Sequence, residues 1–315
     1  MAKYIVKRLL FAIPTIIGVF VVVFFIIRLI PGDPAVIMLG AGATDQQIEV
    51  YRESNGLNKP VIVQFAIALK NFLTGDLGYS LSQRRPVAEV IGERLPRTVE
   101  LSLLGIIFGA FFAVILGVFA AIFRGKWPDL LLTSFSALGM SLPTFFIGLW
   151  VLVIFARKLG WIPVISNVGG DAAYWQTLLG PLVTMIIGET ALLMRTTRSS
   201  MLEILNEDFI RTARSKGLSE KIVLFKHALG NALIPIVTVT GYSLATAFGG
   251  AIVLETVFTR TGIGKTLIDA ITVRDYPMVQ GTTIIIAILM VLINILTDVI
   301  YGIVDPRIRV SGSSD

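Results

Sequence analysis

Six long apolar blocks constrain this chain more than any other feature, at positions 9–30, 101–123, 133–156, 178–194, 233–258 and 282–304. Each is close to the roughly 20 residues an α-helix needs to cross the hydrocarbon core of a bilayer, and the fourth is the shortest. In lipid a backbone N–H or C=O left unpaired costs several kcal/mol, so every block is expected to be helical. Hydrophobic residues make up 55% of the 315 positions, charged residues 15%, and mean hydropathy is +0.81. A soluble core of that richness would be broken by polar faces every few residues, and these blocks are not. The expected fold is all-α, a polytopic membrane helix bundle with six transmembrane helices.

The chain has no cysteine, which removes disulfides, thiolate metal sites and thiol nucleophiles. Its single histidine, His227, cannot form a zinc site alone, and no metal or catalytic centre is expected. The charge of +6 and pI near 9.6 are no sign of a nucleic-acid partner, because the basic residues fall between the blocks, where membrane orientation accounts for them. Lys3, Lys7 and Arg8 precede a first block too long for a signal peptide and without a cleavage site, so it reads as a retained span. An N-terminus on the inside places fourteen Lys and Arg in the cytoplasm. The short outer loops then hold five, namely Arg157, Lys158, Arg260, Lys265 and Arg274. The expected order is a cytoplasmic N-terminus (1–8), a first span (9–30), an extracytoplasmic loop (31–100), a five-helix core (101–305) containing a cytoplasmic loop at 195–235, and a cytoplasmic tail (306–315).

The extracytoplasmic loop has a helical code of its own. Thr44 and Gln47 form a capping box for a short helix ending at Gly56. After Pro60 the residues Val61, Phe65, Ala68, Leu69 and Phe72 make an apolar stripe, with Gln64 as its exception. These amphipathic helices either lie at the outer surface or mouth, or form a connector packed on the spans. Gly105, Gly109, Ala113, Gly117 and Ala121 form a small-residue ridge in the second block, and Gly241, Ala245 and Gly249 repeat it in the fifth. Such ridges let helices approach closely, as packing within the chain or as a subunit interface or gate.

The loop at 195–235 is the most informative stretch. Asn206 is placed to cap a helix with Glu207 and Asp208 in its first turn and Arg211, Arg214 and Lys216 near its end, stopping at Gly217. Ser219 caps a second helix that presents Ile222, Phe225 and Leu229 on one side. A helix of about ten residues is marginal in water, so the first needs an external support. Phe209, Ile210, Thr212 and Ala213, ringed by basic residues, suit either a cleft on a cytoplasmic partner or an anionic lipid surface.

Arg211-Thr212-Ala213, then Gly217, then His227-Ala228-Leu229-Gly230, resembles the EAA loop of ABC importer permeases. The likeness extends to Pro31-Gly32-Asp33-Pro34, Gly75-Asp76-Leu77-Gly78, Ser141-Leu142-Pro143, Gly160-Trp161-Ile162-Pro163, Glu255-Thr256-Val257-Phe258, Gly262-Ile263-Gly264, Arg274-Asp275-Tyr276-Pro277 and Asp305-Pro306-Arg307. Over nearly its whole length the chain is similar to the B-type permease subunit of dipeptide and oligopeptide ABC importers. Arg211 and Gly230 depart from the general EAA pattern as peptide permeases commonly do, and Thr261 stands where many relatives carry proline. The resemblance implies an inner-membrane permease that forms the path for short peptides or related solutes. It implies a C-type permease partner, one or two ABC ATPase subunits that hold the ATP and Mg, and an extracytoplasmic solute-binding protein, with no cofactor in this chain. It also makes Asp208, Phe209, Ile210, Arg211, Thr212, Ala213, Arg214, Lys216, Gly217 and Leu218 an ATPase-docking coupling helix.

Other polar residues divide between chemistry and structure. Thr261-Gly262-Ile263-Gly264-Lys265-Thr266 lacks the first glycine of a phosphate-binding loop and reads as an outer turn. Glu189 inside the fourth block is either cavity-lining or partnered within the bundle. Asn294 and Asp298 share one helix face and either line the path or serve structure, Asp298 by reaching water or Arg307. Glu255 either meets a binding protein or caps a turn. A proton-coupled secondary transporter is the rival reading through Glu189 and Asp298, but no paired halves with interrupted spans are present. A membrane hydrolase has no motif here.

Overall fold

The computed structural model describes residues 2–29, 33–40, 42–54, 56–80, 82–166 and 173–304. Pro31-Gly32, Asp305-Pro306-Arg307 and the 306–315 tail lie outside them. In chain order the elements are α1 (Ala2–Leu29), α2 (Pro34–Leu39), α3 (Asp45–Ser54), α4 (Val61–Leu73), a two-residue hairpin β1 (Tyr79–Ser80) and β2 (Arg85–Pro86), α5 (Val87–Ile122), α6 (Trp127–Ser141), α7 (Thr144–Val151), α8 (Tyr174–Ile204), α9 (Asp208–Ser215), α10 (Glu220–Ile222), α11 (Leu229–Val257), α12 (Ile263–Thr272) and α13 (Tyr276–Val304). Among the described residues five helices are long and apolar enough to cross a membrane, or six if the bent pair α6 and α7 counts as one span. The chain forms two compact units. One is Thr98–Arg260 with the described residues from Ile293, the other Ala2–Arg97 with Thr261–Leu292.

In the first unit α8 is the central element, packed against α6, α7 and α11. The glycine ridge of α5 also faces it. A methyl group added to Gly105 would meet Met185 Sδ at 2.5 Å, one at Gly109 would meet Glu189 Cβ at 2.6 Å, and one at Gly117 would meet Thr197 Cβ at 2.5 Å and the Met194 carbonyl at 2.8 Å. The ridge is thus an internal packing surface, and Thr190 Oγ1 donates across it to the Gly109 carbonyl at 3.2 Å.

The third block is not a straight span. α6 and α7 meet at 108° at Leu142-Pro143. Pro143 has no N–H to continue the ladder, and the residue before a proline is pushed to extended backbone, as Leu142 is at φ −89°, ψ 133°. After α7 the backbone widens into a π-turn over Leu152–Lys158. The fourth block, the shortest by apolar length, belongs to a helix of 31 residues. Apolar length underestimates it because Arg198 continues the helix by pairing across it. Arg198 Nε and Nη2 donate to Asp129 Oδ1 and Oδ2 at 2.6 and 2.8 Å, clamping α6 to α8. Arg260, counted above in a short outer loop, is fully buried and donates to Glu100 and the Tyr174 hydroxyl, both at 3.1 Å. Glu255 is buried too and accepts from Thr98, so it points into the protein.

In the second unit α4 is a connector packed on a span. Phe65 and Phe72 of α4 stack around Phe20 and Phe24 of α1 at centroid distances of 5.2–5.8 Å. The Thr44–Gln47 capping box is present, with Thr44 N donating to Gln47 Oε1 at 2.9 Å and Gln47 N to Thr44 Oγ1 at 3.3 Å. Asp33 caps α2 through Ala35 N and pairs with Arg52, which holds its carboxyl below the usual range. Buried Asp275 accepts from the Ser80 and Ser82 hydroxyls, each at 2.6 Å, and so fastens the hairpin to the start of α13. Most of the 261–266 segment, read above as a turn, is the start of a helix, with Gly262 preceding the first residue of α12. Thr261 Oγ1 accepts from Arg97 at 2.6 Å, a bond that proline in its place would lose.

The glycine geometry gives a direct test. Gly117→Ala must push into Thr197 and a backbone carbonyl and is expected to destabilise by about 1–3 kcal/mol. Gly188→Ala, with nothing within 4 Å, should change stability by less than about 0.5 kcal/mol. Thermal unfolding of the two variants in detergent measures the difference.

Candidate functional site

The eight residues of α9 present two unlike faces. Ile210 and Ala213, three apart, are 0% and 7% exposed, whereas every other residue of the helix is exposed and Phe209 retains 44% of its surface. Ile210 and Ala213 belong to a cluster with Val118 and Ala121 of α5, Met201 of α8, and Val223, Ala228, Ala232 and Ile236. The support that so short a helix needs therefore comes from within the chain. The apolar patch read from the sequence separates accordingly, with Ile210 and Ala213 facing inward and Phe209 and Thr212 outward.

The two ends of α9 differ, the first having no side-chain cap and the second a well-formed stop. Asn206 is not its cap. α8 continues to Ile204, so Asn206 falls in its closing turn and donates from Nδ2 to the Leu202 carbonyl at 2.8 Å, leaving Glu207 at the capping position. At the other end Gly217 adopts φ +77°. Its N–H donates to the Arg214 carbonyl at 2.9 Å and that of Leu218 to the Ala213 carbonyl at 3.4 Å, the paired bonds of a Schellman stop. Arg214 reaches over this turn and binds Glu220 through Nη2 at 2.7 Å and Nε at 3.2 Å, which raises the affinity of the guanidinium for its proton. Asp208 pairs with Arg211 at 3.3 Å, both well exposed. Lys216 and Leu218 are exposed beside them.

The next helix departs from the 3.6-residue period. Val223–Ala228 form a π-turn, with the Leu229 N–H bonded to the Leu224 carbonyl. The wider turn brings Val223 and Ala228, five apart, onto the buried face. Ile222 and Phe225, expected to share one side with Leu229, are exposed at 43% and 59%. Phe209, Leu218, Ile222 and Phe225 are thus large apolar side chains that the chain leaves uncovered in this loop.

The membrane candidates do not converge. Glu189 on α8 and Ser243 on α11 lie beside each other, each with a buried oxygen, Oε2 and Oγ, that falls short of a well-formed hydrogen bond. Asn294 is exposed, while Asp298, one turn further, is half-buried and engaged in contacts of its own. Their Arg307 option falls outside the described residues. The Gly241 carbonyl accepts from Thr297 of α13 at 3.0 Å, Ala245 is half-buried, and a methyl group on Gly249 would meet nothing within 4 Å. Gly241 therefore packs within the chain and Gly249 faces open space. The sequence reading missed a polar stripe on the outward face of α11, where Thr238, Tyr242, Thr246 and Thr256 are all exposed. Its signal is the four-residue spacing of Thr238, Tyr242 and Thr246 inside an apolar block, interleaved with the small residues Gly241, Ala245 and Gly249.

Residues 113–310 match the family model described as binding-protein-dependent transport system inner membrane component, and residues 1–102 match the model of the N-terminal region of such components. The chain is 40% identical over 309 residues to the glutathione transport system permease protein GsiC of Escherichia coli O6:H1, covering 98% of this chain and 99% of the relative. The proteins of that name from Salmonella paratyphi A and Shigella flexneri serotype 5b are 40% and 39% identical over the same shares. Its fold is like that of the MetNI methionine ABC transporter in an inward-facing form, with TM-score 0.55, 18% identity and coverage of 69% of this chain and 96% of the other. An amino acid ABC transporter solved with histidines gives TM-score 0.51, 16% identity and coverage of 68% and 93%.

The two faces of α9 predict unequal costs. Ile210→Ala should destabilise the folded chain by about 2–4 kcal/mol, because a fully buried side chain leaves a cavity. Phe209→Ala should cost less than about 1 kcal/mol. Chemical denaturation in mild detergent, followed by tryptophan fluorescence, separates them.

Proposed function

Because this chain belongs to the family of binding-protein-dependent transport system inner membrane components, we propose that it forms, with a second permease of C type, the translocation path of an importer for short peptides or related small solutes, glutathione-like tripeptides among them. It is a membrane-spanning transport subunit and not an enzyme. The work of hydrolysis is assigned to one or two ABC ATPase subunits that hold ATP and Mg, and delivery of solute to an extracytoplasmic binding protein. Both termini are cytoplasmic in this reading, with 31–100 outside and 195–235 inside. None of the relatives described above is a proton-coupled transporter.

One observation carries the mechanism, the burial of Ile210 and Ala213 beneath an otherwise exposed helix. The outward face, with Phe209, Arg211, Thr212, Lys216 and Leu218, docks in a cleft of the ATPase. The inward face rests on the ends of α5, α8 and α11. When ATP draws the two ATPases together, the displacement of α9 passes through Ile210 and Ala213 into three helices at once. Packed interfaces of this kind move as bodies between discrete arrangements, which suits the exchange of inward-open and outward-open states. Gly217 at φ +77° and the Arg214–Glu220 pair keep α9 and the following helix at a fixed angle.

The solute path is assigned to surfaces this chain leaves uncovered toward its partner. The Thr238, Tyr242 and Thr246 stripe, Gly249 and Asn294 fit that role. The Thr238 and Thr246 hydroxyls are satisfied by the Ile234 and Ser243 carbonyls of their own helix, so the assignment rests on the exposed Tyr242 hydroxyl and Asn294 amide, which lipid would leave unpaired and a water-filled path would not. Glu189, half-buried beside Ser243, and Asp298 complete the candidate set.

Docking and seating are separable by mutation. Phe209→Ala in the assembled transporter is expected to reduce copurifying ATPase and uptake by ten-fold or more while the permease keeps its melting temperature. Ile210→Asp should lower the amount of folded permease itself. Wild-type ATPase recovery and uptake in Phe209→Ala together with Arg211→Glu would contradict the docking assignment.

A further inference from the structure

The turn joining α5 to α6 carries two cations, Arg124 and Lys126. Both are exposed, and among the described residues neither forms an ion pair. Asp129, the carboxylate in the first turn of α6, is already committed. Arg198 donates to both of its oxygens, the Gly125 N–H to Oδ2 at 2.9 Å and the Thr133 hydroxyl to Oδ1 at 3.3 Å. Gly125, at φ +75°, and its bond to Asp129 fix the shape of the turn. Lys126 stands at the cap position of α6 and supplies no acceptor to the N–H groups that open the helix. Positive charge and an uncapped helix start therefore coincide at one rigid turn.

The same turn borders a cavity of about 430 Å³ within the first unit, and Lys126 is its one charged lining residue. Its walls are Leu116 and Phe119 of α5, Phe123, and Leu131 and Leu132 of α6. Leu116 and Leu132 pack on one buried cluster, Ala113, Leu193 and Met194, which sets them together at the end away from the turn. From Leu116 to Phe123 is seven residues, about 10 Å at 1.5 Å per residue. Lys126 Nζ lies 5.9 Å from the Phe123 ring centroid, and that ring lies 4.5 Å from the ring of Phe119. The charge is thus at the Phe123 end, and the lining is apolar from there to Leu116 and Leu132.

We propose that this groove holds one anionic phospholipid, its phosphate at Lys126 and the start of α6 and one acyl chain running past Phe119 and Leu131 to Leu116 and Leu132. α5 is long and apolar enough to cross a membrane, so the groove along it is open to lipid. A basic pocket at the end of spanning helices suits an anionic headgroup, and helix-opening N–H groups suit a phosphate. The headgroup is anionic because both Asp129 oxygens are taken, which leaves the ammonium of a zwitterionic lipid no carboxylate there and the two cations no excess charge to balance them. Inorganic phosphate would meet the turn and leave the apolar walls empty, and an apolar helix of a partner would cover the walls and leave the cations unmatched. Val118 and Ala121, on the same stretch of α5, lie in the cluster beneath α9, so the site borders the helix that supports that loop.

The protein reconstituted in nanodiscs of equal phosphatidylglycerol and phosphatidylethanolamine, then extracted in detergent and examined by native mass spectrometry, tests this. About one phosphatidylglycerol per chain should survive extraction, in preference to phosphatidylethanolamine. Lys126→Gln should lower its retention roughly five-fold, and Arg124→Gln with Lys126→Gln further, while the melting temperature holds. Leu131→Trp fills the groove without touching either cation and should lower retention similarly. Equal retention of the two lipids, or of phosphatidylglycerol by the wild type and a well-folded double variant, would mean annular lipid only and would overturn the proposal. Full retention by Leu131→Trp would overturn it as well, since the chain would then lie elsewhere. Displacement by millimolar inorganic phosphate, or loss of the lipid when the chain is extracted together with its copurifying subunits, would assign the site to a free anion or to a partner and would equally overturn it.

Discussion

An eight-residue helix in water has too few hydrogen bonds to outweigh its nucleation cost, so α9 exists because Ile210 and Ala213 leave water beneath it. Burying one isoleucine side chain contributes about 1.5–3 kcal/mol, comparable with the few tenths per residue that separate a short helix from coil when summed over its length. The same two contacts attach the loop to α5, α8 and α11. Stability of the loop and rigidity of its connection are therefore one interaction. A loop held by a partner alone would fold only in the assembled transporter, whereas this one presents its outer face already formed.

That attachment transmits motion only if the elements beneath it are stiff. On α5, glycines let the helix backbone approach α8 so closely that a single methyl group has no room. The Asp129–Arg198 clamp fixes α6 to α8 with two short charge-assisted bonds. The regular ladder is interrupted elsewhere, at the Leu142-Pro143 break and in the π-turns at Leu152–Lys158 and Val223–Ala228. A bundle with rigid pairs and few defined breaks has discrete ways to rearrange.

Much of this was legible in the sequence, and the failures have physical causes. Apolar length located the helices because lipid leaves the backbone no alternative, and the capping box at Thr44 and the stop at Gly217 were readable because each uses a local bond. The broken third span was hidden by its hydropathy, which is uninterrupted across Pro143. The extent of α8 was hidden because a helix continues beyond lipid once Arg198 finds Asp129, a partner 69 residues away. The side shared by Ile222 and Phe225 was legible, but the π-turn that puts Val223 and Ala228 on the buried face was not, because sequence spacing carries no sign of a turn wider than 3.6 residues. Of the candidate site, the location of α9 was evident but its orientation was not. Which residues of an amphipathic rod face home depends on what lies beneath it, and Ile210 and Phe209 look alike in sequence.

The absence of cysteine makes the central claim open to a direct measurement. Cysteine placed at Thr212, on the outward face of α9, can be labelled with a maleimide in membranes that hold the complete transporter and in membranes stripped of peripheral subunits. The account predicts at least ten-fold slower labelling in the complete transporter, reversed by stripping. Equal rates in the two would show that nothing docks on α9 and would contradict it.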